Sequence, residues 1–220
     1  ILRHWIVNNM DINHSNPAWF IPIVGNIIVP IMGVQYAGIE IAQFYFSLGI
    51  FFWIVLFTII FNRILFHHQL PPKFLPTLFI FIAPAAVGFV SYVKIQQALQ
   101  SLSGQQLTPL HFDFFAHFLY DLALFFTLMV FFIGKPFLKL KFSITWWAYT
   151  FPLAAMTIAT MLNFQLTKEF RPEALLFGFP LTMFFSILSQ GLLFFATVVL
   201  LSVVFFTIKA FINHEICLDE

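Results

Sequence analysis

The sequence predicts an all-α integral membrane protein, and three observations carry that prediction. Of 220 residues, 61% are hydrophobic and only 9% are charged, with 34 phenylalanines, whereas a soluble domain carries about 25% charged residues. Long stretches free of Lys, Arg, Asp and Glu run over Ile12–Ile39, Ile41–Asn62, Phe74–Val93, Phe142–Thr167 and Ala174–Ile208. Each exceeds or approaches the 20 or so apolar residues that a spanning helix needs, because no backbone amide is left unpaired in hydrocarbon. No segment shows the alternating pattern of an outer-membrane β-barrel.

Six spanning helices follow, at about 17–36, 41–62, 75–95, 112–133, 144–165 and 180–208, in one transmembrane domain. The first opens at Pro17 and closes at the tight link Gln35–Gly38, which makes it an antiparallel hairpin with the second. The third begins near Leu75. The fourth is interrupted once, by Asp121, and the fifth begins at Ile144. The last apolar stretch is too long for the bilayer core as one helix, so Pro180 is placed in the first turn of a normal span. Gln96–Leu110, rich in Gln and Ser, reads as the longest external loop.

Basic residues set the orientation. Arg3, Arg63, Lys73, Lys135, Lys139, Lys141 and Lys209 fall on one side, and only Lys94, Lys168 and Arg171 on the other. Both ends of the chain are therefore expected in the cytoplasm, and the membrane is expected to be the inner, or plasma, membrane. Trp19 and Trp146–Trp147 fall at cytoplasmic helix ends, where interfacial indoles belong. The chain opens Ile-Leu-Arg-His-Trp, with neither an initiator Met nor a signal-peptide pattern, and reads as a sequence entered part-way.

Two kinds of helix alternate. Helices one, three and five hold prolines and small residues, while two, four and six are packed with Phe. The three hairpins repeat with a loose period of about 60 to 70 residues, and internal repeats are common in transport proteins. On α-helical spacing Pro22, Asn26, Pro30 and Gly33 share a face in helix one. Pro84, Gly88 and Ser91 do so in helix three; Ala148, Pro152, Ala155 and Ala159 do so in helix five, with Phe151 beside Pro152. An interior proline frees the carbonyl four residues back, which lipid does not satisfy, so these stripes are expected to face inward. Close helix packing accounts for one such stripe. Three, one per hairpin, point to a central cavity that bulky Phe151 obstructs as a hydrophobic gate.

The stretches Asn16-Pro-Ala-Trp-Phe-Ile-Pro-Ile-Val-Gly-Asn26, Ile82-Ala-Pro-Ala-Ala-Val-Gly-Phe-Val-Ser-Tyr92 and Trp146-Trp-Ala-Tyr-Thr-Phe-Pro-Leu-Ala-Ala-Met156 resemble the tellurite-resistance/dicarboxylate transporter family. That family includes bacterial TehA and the plant slow anion channels. The resemblance implies a quasi-five-fold bundle of ten helices with kinked inner and outer helices alternating, of which this chain supplies the last six. It also implies a homotrimer with one pore per protomer, and a pore-plugging phenylalanine that the motif places at Phe151. Two of five pore-lining helices would then lie outside this chain.

Asp121 is the one carboxylate deep in a span, and two readings stand: a proton-coupling site, or a buried carboxyl hydrogen-bonded to a neighbour such as His117. Asn26 is open between pore lining and interhelical bonding. Glu40 and Lys94, at helix ends, read as snorkelling residues. The seven histidines, His67–His68, His111 and His117 among them, form no His-Glu-x-x-His pattern, and Cys217 is the single cysteine. No metal site, cofactor or enzyme chemistry is therefore expected. Near-balanced charge gives no basic surface for nucleic acid. The short tail Asn213–Glu220 leaves little room for a regulatory partner, and the lack of long soluble extensions suits a bacterial membrane. The expected partners are membrane lipid and small inorganic or carboxylate anions. The expected function is a channel for small monovalent anions gated by Phe151. The alternative is a proton-coupled C4-dicarboxylate carrier, or a tellurite or sulfite exporter.

Overall fold

The computed structural model describes Arg3, Val7, residues 11–103 and residues 113–214. His111, Cys217 and the outer part of the Gln96–Leu110 segment lie outside the described residues. The described chain is mostly helical, and its helices pair in chain order into three hairpins. We label them α1 (Pro17–Tyr36), α2 (Ile39–Phe66), α3 (Pro72–Ser103), α4 (Phe114–Ile133), α5 (residues 144–170) and α6 (Leu181–Ile212).

Five of these helices are long and apolar enough to cross a membrane; α5 is not among them. Its reason is visible in its side chains. Thr157, Thr160, Asn163 and Thr167 are all buried. The three threonine hydroxyls donate to Leu153, Met156 and Asn163 carbonyl oxygens at 2.8–2.9 Å. Such back-bonding to the previous turn lets a hydroxyl sit in an apolar interior. Tyr120 Oη of α4 adds a bond to Thr160 Oγ1. So α5 is a core helix whose low hydropathy is hidden from lipid by its neighbours.

Contacts, with burial, sort the helices into inner and outer. Helix α3 is the centre, with 83% of its most apolar window buried, against 11% for α6. Helices α1 and α5 both pack on α3, and α2, α4 and α6 lie outside their hairpin partners. Phe44 and Phe51 of α2 and Phe118 and Phe125 of α4 are accordingly exposed on the outer faces, as lipid-facing residues should be. Inside, Phe20, Phe57, Phe61, Phe81 and Phe126 form one cluster of edge-to-face, tilted and stacked rings with centroids 5.3–6.5 Å apart.

The turn between α1 and α2 depends on Gly38, whose φ of +89° excludes a comfortable side chain. Between α5 and α6 a two-stranded hairpin, β1 (Leu175–Leu176) and β2 (Phe179–Pro180), was not foreseen from sequence. Phe177 and Gly178 form its loop with φ of +50° and +87°, the pattern of a type I′ turn. Pro180 is accordingly a strand residue and the N-cap of α6, just outside the first turn expected for it. Helix α3 runs on through Gln96–Ser103, the near half of the segment read as a loop, because Gln, Ala and Leu there are adequate helix formers.

The prolines behave in a way the sequence did not disclose. Each inner helix begins as a 3₁₀-helix, at Pro17–Phe20, Pro72–Phe81 and Ile144–Tyr149. It turns α-helical one or two residues before Pro22, Pro84 or Pro152. The prolines thus occupy first turns, where the missing N–H is not needed. At the junctions the 3₁₀ pattern supplies bonds three residues back, from Ile21 N to Ala18 O and from Thr150 N to Trp147 O. Pro30 does the same at the start of a second α segment, Val29–Tyr36, and so breaks α1 at Ile28.

That break takes carbonyls out of the α-helical ladder, Asn26 O because Pro30 has no N–H, and Ile27 O as well. Ile31 N donates to Ile28 O, which leaves Ile27 O outside the ladder. Ser91 Oγ of α3 donates to it at 2.6 Å, fully buried. Ser91→Ala is therefore expected to lower stability by about 1 kcal/mol, the usual worth of an interhelical hydrogen bond in a membrane bundle. Thermal unfolding in detergent checks this against Ser202→Ala, an exposed hydroxyl bonded within its own helix. Equal losses would mean that Ser91 holds nothing together.

Candidate functional site

Three inner helices line a half-open cavity of about 520 Å³ at their N-terminal ends. Helix α1 contributes Ala18, Ile21, Val24, Gly25 and Ile28, α3 contributes Thr77, Ile80 and Ala83, and α5 contributes Thr145, Trp147, Ala148, Phe151 and Pro152. At about 30 Å³ per water, the volume matches roughly 17 waters of liquid, which is room for a small hydrated ion. No lining residue is ionisable. The two lining threonines are engaged: Thr77 Oγ1 donates to Phe74 O, and Thr145 Oγ1 to Lys73 O, both at 2.6 Å.

The lining follows the repeat. Measured from Pro22, Pro84 and Pro152, the residue four before each proline is Ala18, Ile80 or Ala148, and the residue just before it is Ile21, Ala83 or Phe151. All six face the cavity. Ile21, Ala83 and Phe151 thus hold equivalent positions on three helices, and Phe151 is the bulkiest of them. Its ring is 44% exposed, which is high for a phenylalanine on an inner helix and reflects its projection into open space.

The stripe residues divide differently. Pro152 and Ala148 line the cavity, whereas Ala155 and Ala159 are buried in packing. Gly88 is buried, and a Cβ there would touch Leu119 of α4 and Ile50 of α2. Pro84 is buried, and Ser91 bonds Ile27. Pro30 is buried; Pro22 and Gly33 are half-buried. Asn26 Nδ2 donates to Pro22 O within its own helix at 2.9 Å, neither of the two roles considered for it. The reason is depth along the helix. The cavity sits at the N-terminal 3₁₀ turns, which repeat every three residues, so its faces run Thr77-Ile80-Ala83 and Thr145-Ala148-Phe151, whereas most of each stripe continues into the α-helical segment beyond.

Asp121 lies exposed on the outer stripe of α4 with Phe114, Phe118, Phe125 and Leu128, away from the cavity. The buried carboxyl considered for it is not what the fold provides. Among the described residues no three His, Cys, Asp or Glu side chains gather as a metal site.

Sequence reasoning counted Arg63 only as a cytoplasmic charge. It is 2% exposed, and its Nη2 donates to Asn13 O at 3.4 Å, while Nε and Nη1 have no hydrogen-bond partner among the described residues. The signal was present: Gly49, Trp53, Leu56, Ile60 and Arg63 recur at intervals of four and three, the buried stripe of α2. Arg63 thereby clamps the segment that leads into α1.

A family model described as voltage-dependent anion channel matches residues 1–208. The chain belongs to that family. It is 30% identical over 147 residues to the S-type anion channel SLAH2 of Arabidopsis thaliana, covering 67% of this chain and 26% of that protein. It is 26% identical over 147 residues to the guard cell S-type anion channel SLAC1 of the same plant, covering 67% of this chain and 24% of the relative. Over 192 residues it is 26% identical to an uncharacterized transporter of Methanocaldococcus jannaschii, covering 80% of this chain and 54% of the relative. The chain thus spans about half the archaeal relative and about a quarter of the plant ones. As a member of the voltage-dependent anion channel family it is a multi-pass helical membrane protein, the class to which its helix motifs pointed.

Proposed function

We propose that the protein conducts small monovalent anions passively through a pore between α1, α3 and α5, and that Phe151 closes it. The observation that carries this reading is the uncharged cavity with Ile21, Ala83 and Phe151 at equivalent positions around it. Conduction needs binding weak enough to permit exit, and a lining without Lys or Arg offers no tight site. A mild attraction comes from the N-terminal ends of the three helices, which converge on the cavity and carry the positive end of the helix dipole. Apolar residues around a narrow point gate by excluding water, and Phe151 is the largest side chain at that level.

The orientation counted from the basic loops places this cavity at the cytoplasmic end of a plasma-membrane protein with both ends of the chain inside. All six helices then cross the bilayer, α5 shielded by its neighbours. The family resemblance adds further inner helices to complete the wall between α1 and α5, and a trimer with one pore per protomer. Anion current across a planar bilayer tests the function, with the protein expressed together with any coding sequence that flanks this chain. A reversal potential that follows the anion gradient supports the channel; one that follows the cation gradient ends it.

The coupled-carrier reading asks for a titrating group on the transport path. Asp121 is the only carboxylate deep in a span, and it stands on the outer face of α4. Asp121→Asn is therefore expected to leave anion flux and its pH dependence unchanged. Loss of a pH dependence that the parent shows, measured as anion uptake into proteoliposomes at pH 5 to 8, would instead make the protein a proton-coupled carrier.

A further inference from the structure

A second cavity, of about 620 Å³, lies at the far ends of α1 and α3, against the start of α2, and it differs from the first in being charged. Gln35 at the end of α1, Glu40 in the first turn of α2, and Lys94, Gln97 and Ser101 on α3 line it. Lys94 is eleven residues beyond Ala83 on one continuous α-helix. At 100° and 1.5 Å per residue it stands about 20° from Ala83 around the helix and about 16 Å along it. The cavity therefore continues the face of α3 that lines the first one, with buried Val87 and Val90 between them. Among the described residues the Lys94 ammonium is held by a long 3.4 Å bond to Gln97 Oε1. Glu40 curls toward the turn, with Oε2 3.6 Å from where a Gly38 Cβ would stand.

We infer that this cavity is the second mouth of the conduction path, that Lys94 concentrates small anions there, and that Glu40 opposes it. The inference rests on the channel reading above. One unit charge a few ångströms from an ion in water changes local concentration by roughly threefold. The two charges offset each other at a distance, yet removing either leaves the mouth with a net charge of one sign. Because the ions pass through water-filled space, the effect is screened by salt: the Debye length falls from about 10 Å at 0.1 M to 3 Å at 1 M.

The experiment uses a Phe151→Ala background, so that the path is open, with potassium chloride in a planar bilayer at 50 mM and at 1 M. At low salt Lys94→Gln is expected to lower single-channel chloride conductance about threefold and Glu40→Gln to raise it by a similar factor. Lys94→Arg rescues the loss, and all conductances converge at 1 M. Unchanged low-salt conductance in both charge variants overturns the inference while leaving the channel intact. A change of the same sign in both, persisting at 1 M, also overturns it, since that pattern reports structural damage. Should Lys94→Gln not reach the membrane, Glu40→Gln alone still decides by its sign and salt dependence. If Phe151→Ala carries no anion current at all, the channel reading falls and this inference with it.

Discussion

Phe151→Ala is expected to raise anion conductance by roughly tenfold or more, which corresponds to a barrier lowered by at least about 1.4 kcal/mol. The argument is geometric. Phe151, Ile21 and Ala83 hold the residue position just before a helix-starting proline, on three helices around one cavity. Of the three only Phe151 carries a ring. Truncating it removes the bulkiest side chain at that level without touching the α5 packing, which runs through buried Leu153, Ala155 and Met156. The equivalence supplies an internal control. Ile21 is exposed to the same cavity, so adding Ile21→Phe to the Phe151→Ala protein is expected to return much of the occlusion from the opposite wall. Single-channel recording of both variants checks this. A Phe151→Ala protein that conducts no better than a conducting parent would remove the gate. Current that rises but ignores Ile21→Phe would place the narrow point elsewhere.

The helices were legible because membrane burial writes itself into composition. Charge-free stretches mark spans, and the outer helices carry Phe where lipid is the neighbour. The alternation of inner and outer helices was legible too, since prolines and small residues gather on helices one, three and five. What the residues did not disclose was the kind of helix. Pro22, Pro84 and Pro152 read as interior kinks because the stretches before them look helical, and they are helical, but of the 3₁₀ type. Sequence alone gives no period of three to separate from 3.6 over so few residues. The cavity-facing set therefore sits at and before the prolines, with Ala148 and Pro152 kept from the stripes and the deeper stripe residues left to packing. Phe151 had entered through its place beside Pro152 and through the family motif, so it did not depend on that period. Glu40 and Lys94 stood at helix ends in different hairpins, and only the fold brings them to one cavity. The strand pair at Leu175–Pro180 was masked by the apolar stretch that leads into α6.

Gly49→Leu is expected to be the most damaging single change in the bundle, and the reason lies on the side of α1 away from the cavity. A Cβ built on Gly49 of α2 stands 2.5 Å from Ile27 Cγ1, 3.0 Å from Ile27 N and 3.4 Å from Asn26 Cβ. A side-chain atom can rotate aside, but a backbone nitrogen cannot. Ile27 moreover borders the break at Ile28 and depends on Ser91 for its carbonyl. Any side chain at position 49 pushes α1 off α2 at its least reinforced point and drags the Ser91 bond with it. Overpacking alone costs about 1–3 kcal/mol, so Gly49→Ala is expected in that range and Gly49→Leu beyond it, with loss of folded protein on extraction. Gly25, on the cavity side of the same helix, has nothing within 4 Å of its would-be Cβ. Gly25→Ala is therefore expected to be neutral or stabilising by up to about 1 kcal/mol, through helix propensity. Thermal unfolding of the three variants in detergent measures the contrast. If Gly49→Ala unfolds no earlier than Gly25→Ala, then α1 is free to move relative to α2 and is not the fixed wall that a cavity bounded by Ile21 and Ile28 requires.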